Sequence, residues 1–366
     1  MREILKKFET GRCTPEELKI VEDWYNAIAD PKLKSSIEKG TSEEIEYIGR
    51  QYQRFLARER KQWKLAQLHA WLKIAAAVLL LGVGAWYFFR NTGGTIERQV
   101  VQNDITPGTD RATLTLANGN TLTLNSLQDG NIALESGVQV TKTDSGQLFY
   151  SGSTQDENKF NTLSTPRGGR YKITLSDGTK VWLNAATKLK FPVAFAGKER
   201  NVELSGEAYF EVAKNPEKPF LVLSKGQQIR VLGTHFNISN YANEEEVRTT
   251  LLEGKVAVDA LGKHITLSPG QQSVLSNGTL ITRKADIEQA VAWKDNIIDI
   301  NGLSLEEIFN QIGRWYDVDV IFKGKIPDRK LKGQMDRGLM LSEIVEWIQK
   351  MKIPVHLQGK SLIVSF

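Results

Sequence analysis

The chain has 366 residues, of which 40% are hydrophobic and 25% charged, and its formal net charge is +5. That length supports two or three domains with substantial cores, and the composition excludes wholesale disorder. A single cysteine, Cys13, excludes an intramolecular disulfide and any C-x-x-C metal site.

In chain order, "MREILKKFETG" predicts a short helix stopped by Gly11. Thr14-Pro15-Glu16-Glu17 then forms a capping box with proline at the first helical position. Leu18, Val21, Tyr25 and Ile28 follow at helical spacing as one apolar stripe, with Trp24 beside it, and Asp30-Pro31 ends the helix. Thr41 and Glu44 make a second capping box that opens another helix. A three-helix module of this size is marginal alone and gains stability by packing on a partner. It carries no nucleotide-binding loop and no catalytic constellation.

Basic residues are dense in "RFLARERKQWKLAQLHAWLK", and no base-reading motif accompanies them. Membrane topology accounts for the cluster. From Trp71 to Phe89 the chain reads "WLKIAAAVLLLGVGAWYFF", a helix of about 28 Å, long enough for a bilayer core. Lys73 near its start can snorkel, and Trp71 and Trp86-Tyr87 stand where interfacial aromatics belong. Arg54, Arg58, Arg60, Lys61 and Lys64 precede the span, so the positive-inside rule puts the amino terminus in the cytoplasm and the carboxy terminus outside.

Between Thr106 and about Arg283, strand-like runs alternate with turn signals such as Asn118-Gly119, Asp177-Gly178 and Asn277-Gly278. That rhythm predicts an all-β sandwich or β-roll. "SGSTQDENKFNTLSTPRGG" is polar and reads as a loop. Two hairpins echo each other, "ATLTLANGNTLTLN" and "ITLSDGTKVWLN". A three-residue loop over Ser176–Gly178 would pair Ile173 with Val181 and Tyr171 with Leu183, all on one face. The earlier copy would pair Leu114 with Leu122 and Ala112 with Leu124. Both then predict a type I turn with glycine in the left-handed position and a G1 bulge. Trp182 falls on the opposite face, under a second layer.

From about Val291 the pattern changes to strand, capped helix (Ser304 with Glu307), strand, then strand, helix and a closing hairpin around Gly359. This β-α-β-β-α-β order predicts a small α+β sandwich.

Catalytic candidates are sparse. Glu207 and Glu211 lie four residues apart on one strand-like run, over about ten ångströms, unsuited to a paired-carboxylate mechanism. His235, His264 and His356 lack metal-ligand spacing, so neither a metal nor another cofactor is expected. Gly233-Thr234 in "VLGTHF" reads as a strand with a bulge-forming glycine, or as a bond open to an N-to-O acyl shift if a strained turn holds it.

The runs "LSTPRGGRYKITLSDGTKVWLNAATKLKFPVAF", "RNVELSGEAYFEVAKNPEKPFLV", "IRVLGTHFNISNY", "TTLLEGKVAV" and "LSPGQQSVL" resemble the periplasmic domain of FecR-type anti-sigma factors. The carboxy-terminal unit is similar to the domain that ends such proteins, related to the secretin and TonB-dependent receptor amino-terminal fold. "FETGRCTPEELKIVEDWY" resembles their sigma-binding region.

The resemblance implies a single-pass inner-membrane regulator that binds no nucleic acid directly. Residues 1–68 would be the cytoplasmic sigma-factor-binding module and 71–90 the span. Residues 91–160 would form a periplasmic linker with the first hairpin, 161–284 the all-β domain and 291–366 the α+β signalling domain. Leu18, Val21, Trp24 and Tyr25 would hold an extracytoplasmic-function sigma factor. Trp315, Tyr316 and Phe322 would meet the amino-terminal signalling domain of a TonB-dependent outer-membrane transporter. Release would involve regulatory proteases, with Gly233-Thr234 as a candidate self-cleavage bond. The alternative is a membrane-anchored periplasmic glycan-binding or scaffold protein.

Overall fold

The computed structural model describes residues 2–9, 12–29, 104–156 and 158–366. The predicted span, the Thr41–Glu44 capping box and the linker up to residue 103 lie outside the described residues, as does the side chain of Tyr25. Among the described residues no helix is long and apolar enough to cross a membrane. Contacts divide the chain into two units, Met1–Arg98 and Gln99–Phe366.

In the first unit, helices Arg2–Glu9 and Pro15–Ala29 pack on each other. The second begins as its sequence dictates. Thr14 Oγ1 accepts from the Glu17 N–H at 3.3 Å, and Glu17 Oε2 accepts from the Thr14 N–H at 2.9 Å. Two otherwise orphaned amide donors are thereby satisfied. Lys7 reaches across to Glu17 at 2.6 Å.

The second unit begins with two facing runs of strands. In one, order across the sheet is Thr121–Thr123, Thr113–Thr115, Phe160–Thr165, Thr187–Pro192, Arg200–Glu211, Phe220–Ser224, Gln227–Val231, Val256–Ala260 and Lys263–Leu267. In the other it is Gly130–Glu135, Val138–Lys142, Leu148–Ser151, Gly169–Thr174, Lys180–Leu183, Arg200–Glu211, His235–Asn240, Val247–Glu253, Gln271–Ser276 and Thr279–Lys284. The Arg200–Glu211 strand belongs to both. Its first half pairs with Lys188–Lys190 and its second with Val181 and Phe236 at Phe210.

Gly206 makes that crossing possible. Its φ is +102°, and a Cβ there would stand 2.5 Å from Thr187 Oγ1 and 2.7 Å from Thr187 Cα. Only glycine accepts both the conformation and the approach. Inward residues of the two runs then share one core, in which the Phe210 and Phe236 rings stack at 5.0 Å.

Both hairpins have the three-residue loop. Tyr171 pairs with Leu183 and Ile173 with Val181. Leu114 pairs with Leu122, and the Leu124 N–H donates to the Ala112 carbonyl at 3.0 Å. Gly178 and Gly119 take φ of +85° and +87°, and Asp177 Oδ1 and Asn118 Oδ1 each accept from the amide two residues on. The copies sit on opposite runs and both feed the same core. Trp182 is covered by a second layer, packing with Tyr209 (ring centroids 5.4 Å) and with Val291 and Trp293 from the following helix and turn.

The predicted loop before Arg170 holds a strand, Phe160–Thr165, which pairs with Thr187–Pro192 and Thr113–Thr115. Of its inward residues only Leu163 is apolar, so alternation was invisible in the sequence. Asn161 and Thr165 are buried polar residues with partners: Asn161 Nδ2 donates to Tyr150 Oη at 2.8 Å, and Thr165 Oγ1 to the Asn184 carbonyl at 2.6 Å. The first hairpin also contributes to the main core, through Leu114 and Leu124.

The last element group runs Ile297–Asp299, helix Leu305–Tyr316, Asp319–Lys323, Gln334–Asp336, helix Leu341–Lys350, then hairpin Val355–Gln358 with Ser361–Ser365. The strands form a two-stranded and a three-stranded sheet rather than one. The Ser304–Glu307 capping box is present.

Candidate functional site

On the helical unit, the predicted stripe turns inward. Val21 is buried against Phe8, and Leu18 packs on the same small cluster. The first helix therefore covers Val21, while Leu18 remains half-buried. Ile20 is exposed and Trp24 half-exposed one helical turn further on, so these two lie on the outer side.

The densest arrangement of functional side chains is the junction between the β domain and the carboxy-terminal domain, around a polar cleft of about 380 Å³. It is built from the signature runs. In "KVWLN" the alternation that sends Val181 and Leu183 into the core leaves Asn184 at the strand end. "LSGEAYF" places Glu207 opposite Ser239, just past the Gly206 crossing. Asn184 Nδ2 and Asn237 Nδ2 donate to the two Glu207 oxygens at 2.7 and 3.0 Å. Trp293 Nε1 donates to Asn237 Oδ1 at 3.3 Å. Arg337 closes the chain, donating to Asn184 Oδ1 at 3.0 Å and to the Trp293 carbonyl at 2.6 Å, with its guanidinium 3.8 Å over the Trp315 ring.

Burial sets the electrostatics. It raises the Glu207 carboxyl, against the pull of the two asparagine donors and Arg314. Burial lowers Arg337 to about 10, which still leaves it charged at neutral pH. Arg314 lies 3.6 Å over the Tyr241 ring and pairs with Glu244 at 2.7 Å. Arg248 of the β domain pairs with Glu246 at 2.7 Å and also with Glu307 of the capping box. Outside the cleft, Arg167 of "TPRGG" donates to Asp317 Oδ1 at 3.1 Å. Ion pairs from Arg248 to Glu307 and from Arg314 to Glu244 tie the two domains together across the cleft.

Glu207 and Glu211 are not brought together. Glu211 lies opposite His235 at the far end of the strand and faces Lys180 at 3.9 Å. His235 pairs with Glu253 at 3.1 Å and His264 with Asp259 at 2.7 Å, in separate places on the surface.

Gly233 has φ of +155°, and a Cβ on it would approach Lys214 Cα to 2.7 Å, so the bond before Thr234 lies in a bend reserved for glycine. Thr234 is buried and its hydroxyl donates to the Lys255 carbonyl at 3.0 Å.

Trp315 and Tyr316 are buried in the carboxy-terminal core, donating to the carbonyls of Arg337 and Leu339 at 2.8 Å each. Their rings fill that core and are not presented. Phe322 is half-buried edge-on to Phe309 at 5.8 Å, on the edge strand Asp319–Lys323, whose neighbour Ile321 is exposed. Sequence reasoning missed Asn184, Asn237, Trp293, Arg314 and Arg337. For Asn184 and Asn237 the available signal was a polar residue at or inside a strand run; Trp293, Arg314 and Arg337 lie outside such runs and carried no such signal.

Two family models match the chain, "FecR protein" over residues 161–257 and "FecR, C-terminal" over residues 297–364. Two crystal structures of a candidate anti-sigma factor from Parabacteroides distasonis ATCC 8503, at 1.65 and 2.50 Å resolution, are similar, each with a TM-score of 0.53. They are 27% and 26% identical, covering 56% of this chain and 97% and 98% of theirs. Among curated proteins no match was found. With both family domains matched in order and a solved candidate anti-sigma factor similar over 97% of its own length, the chain belongs to the FecR-type proteins.

Proposed function

We propose that this chain is an inner-membrane anti-sigma factor, with its amino-terminal helical unit in the cytoplasm holding an extracytoplasmic-function sigma factor. Residues 104–366 would lie in the periplasm and receive a signal from the amino-terminal domain of a TonB-dependent transporter. The observation that carries this reading is the match to a candidate anti-sigma factor over nearly that protein's whole length, beside the two family-model matches. On the helical unit, exposed Ile20 and half-exposed Trp24 supply an apolar contact for the sigma factor. On the carboxy-terminal domain, the Asp319–Lys323 edge strand offers unpaired backbone groups beside Ile321, a site for strand addition by the transporter's domain.

Copurification of the full-length chain with a sigma factor tests the reading. Wild type retains it, Ile20→Asp loses most of it, and retention of no sigma factor by wild type refutes the proposal. Proteolytic release completes the relay, and Gly233-Thr234 is its candidate self-cleavage bond. There the Thr234 oxygen would attack the Gly233 carbonyl carbon, the amide nitrogen would leave with the hydroxyl proton, and water would hydrolyse the resulting ester. Blotting in a protease-deficient host reads this: two fragments in wild type and none in Thr234→Ala support it, and the same bands in both reject it.

A further inference from the structure

Helix Leu341–Lys350 has only half a cap of its own: Glu343 Oε2 accepts from the Met340 N–H at 2.9 Å, but Met340, at the N-cap position, has no side-chain oxygen for the first-turn amides. The acceptors for Leu341 and Ser342 come from far up the chain. Asp104 Oδ1 accepts from the Ser342 N–H at 3.1 Å, and Asp104 Oδ2 from the Ser342 hydroxyl at 2.6 Å, across 238 residues of sequence. The Ile105 carbonyl accepts from the Leu341 N–H at 3.0 Å.

Packing follows the same route. Ile105 lies against the carboxy-terminal core. Gly108 passes so close to Trp315 that a Cβ would stand 2.5 Å from its ring and 2.8 Å from the Gly168 carbonyl. Thr109 and Asp110 then join the β domain in parallel with Gly169 and Arg170. So the first described residues downstream of the predicted span are held by the last domain before they enter the β domain.

The geometry points to Asp104–Gly108 as a releasable strap: the carboxy-terminal domain clamps the stalk that leads back to the membrane, and loosening of that clamp is the output step of the relay. The inference rests on the reading of the chain as a transmembrane anti-sigma factor. A carboxylate cap on a helix amino terminus suits such a device, because it is strong enough to hold and weak enough to open. A partner that shifts helix Leu341–Lys350 disturbs the cap directly, without unfolding either domain.

Limited trypsin digestion of the full-length chain in membrane nanodiscs tests the strap, with Arg111 as the cleavage point to follow. Asp104→Ala should speed cutting there about five-fold, the factor for loss of a helix cap, and Ser342→Ala, which keeps the backbone N–H bond, by less. The double variant should add little to Asp104→Ala, because the carboxylate is already gone. Ser304→Ala, which uncaps the other helix of the same domain, should leave the rate unchanged. Unaltered cutting in Asp104→Ala, or equal acceleration by Ser304→Ala, overturns the strap. In cells without inducer, Asp104→Ala should raise sigma-dependent reporter output several-fold. Faster cutting with unchanged output, where wild type represses, overturns the regulatory role. Failure of wild type to retain a sigma factor is a different result and refutes only the underlying reading.

Discussion

Glu307→Gln isolates the charge that links the two domains of the larger unit. Glutamine can replace glutamate in a capping box, so the bond that Glu307 Oε2 accepts from the Ser304 N–H at 2.7 Å has a substitute. What disappears is the ion pair with Arg248, in which both side chains are 23% exposed. A charge-assisted hydrogen bond contributes about 1.5–3 kcal/mol when buried, and exposed pairs about 0.2–1 kcal/mol. Arg248 keeps Glu246 at 2.7 Å, so no charge is left unpaired and the loss falls between, at about 1–1.5 kcal/mol. A unit of this size should then melt about 3–5 °C lower, read by calorimetry or tryptophan fluorescence.

The pH dependence carries the sign. Burial alone would raise the Glu307 pKa, but Arg248 and the Ser304 donors hold it below the ordinary 4.5. A depressed carboxylate contributes stability that is present above its unfolded-state pKa and lost as pH falls through the folded one. The gap between wild type and Glu307→Gln should be full at pH 7 and shrink as pH falls below the ordinary 4.5 and through the depressed folded value. A variant melting within about 1 °C of wild type at pH 7, or a gap that does not shrink as the pH is lowered below 4.5, refutes the reasoning.

Asn184→Asp should cost about 3 kcal/mol, because it replaces a donor to Glu207 with a second buried carboxylate. Adding Glu207→Gln should recover at least half in chemical denaturation, since the swapped pair again matches donor to acceptor; no recovery would mean the hydrogen bond is not what holds the junction. Gly206→Ala should abolish folding of the β domain or lower its melting point by more than about 8 °C, because the new methyl must displace Thr187 and alanine also resists the +102° φ of position 206. A soluble variant with a near-native melt would show that the crossing strand can relax.

Several features were legible without the fold because their causes are local. The Thr14 and Ser304 caps follow from residues three apart. The hairpin loops follow from parity: only a three-residue turn puts Tyr171, Ile173, Val181 and Leu183 on one face. Val21, by contrast, belongs to an apolar stripe whose partner could not be named in advance, and Phe8 of the preceding helix turned out to take it. Trp315 and Tyr316 looked like presented aromatics because sequence does not distinguish a ring that fills a core from one that meets a partner.

Local sequence was enough for the helix starts, the register of the two repeated hairpins, the change from β to α+β near Val291 and the resemblance to FecR-type proteins. Tertiary structure decided that Phe160–Thr165 is a strand and that Asn184, Glu207, Asn237, Trp293 and Arg337 form one junction. It also decided that Asp104 caps a helix near the other end of the chain. The division has one physical cause. Apolar periodicity and capping depend on residues within a turn or a pleat, whereas a buried polar group is tolerated only where a partner meets it, and here those partners lie as far as 153 and 238 residues away.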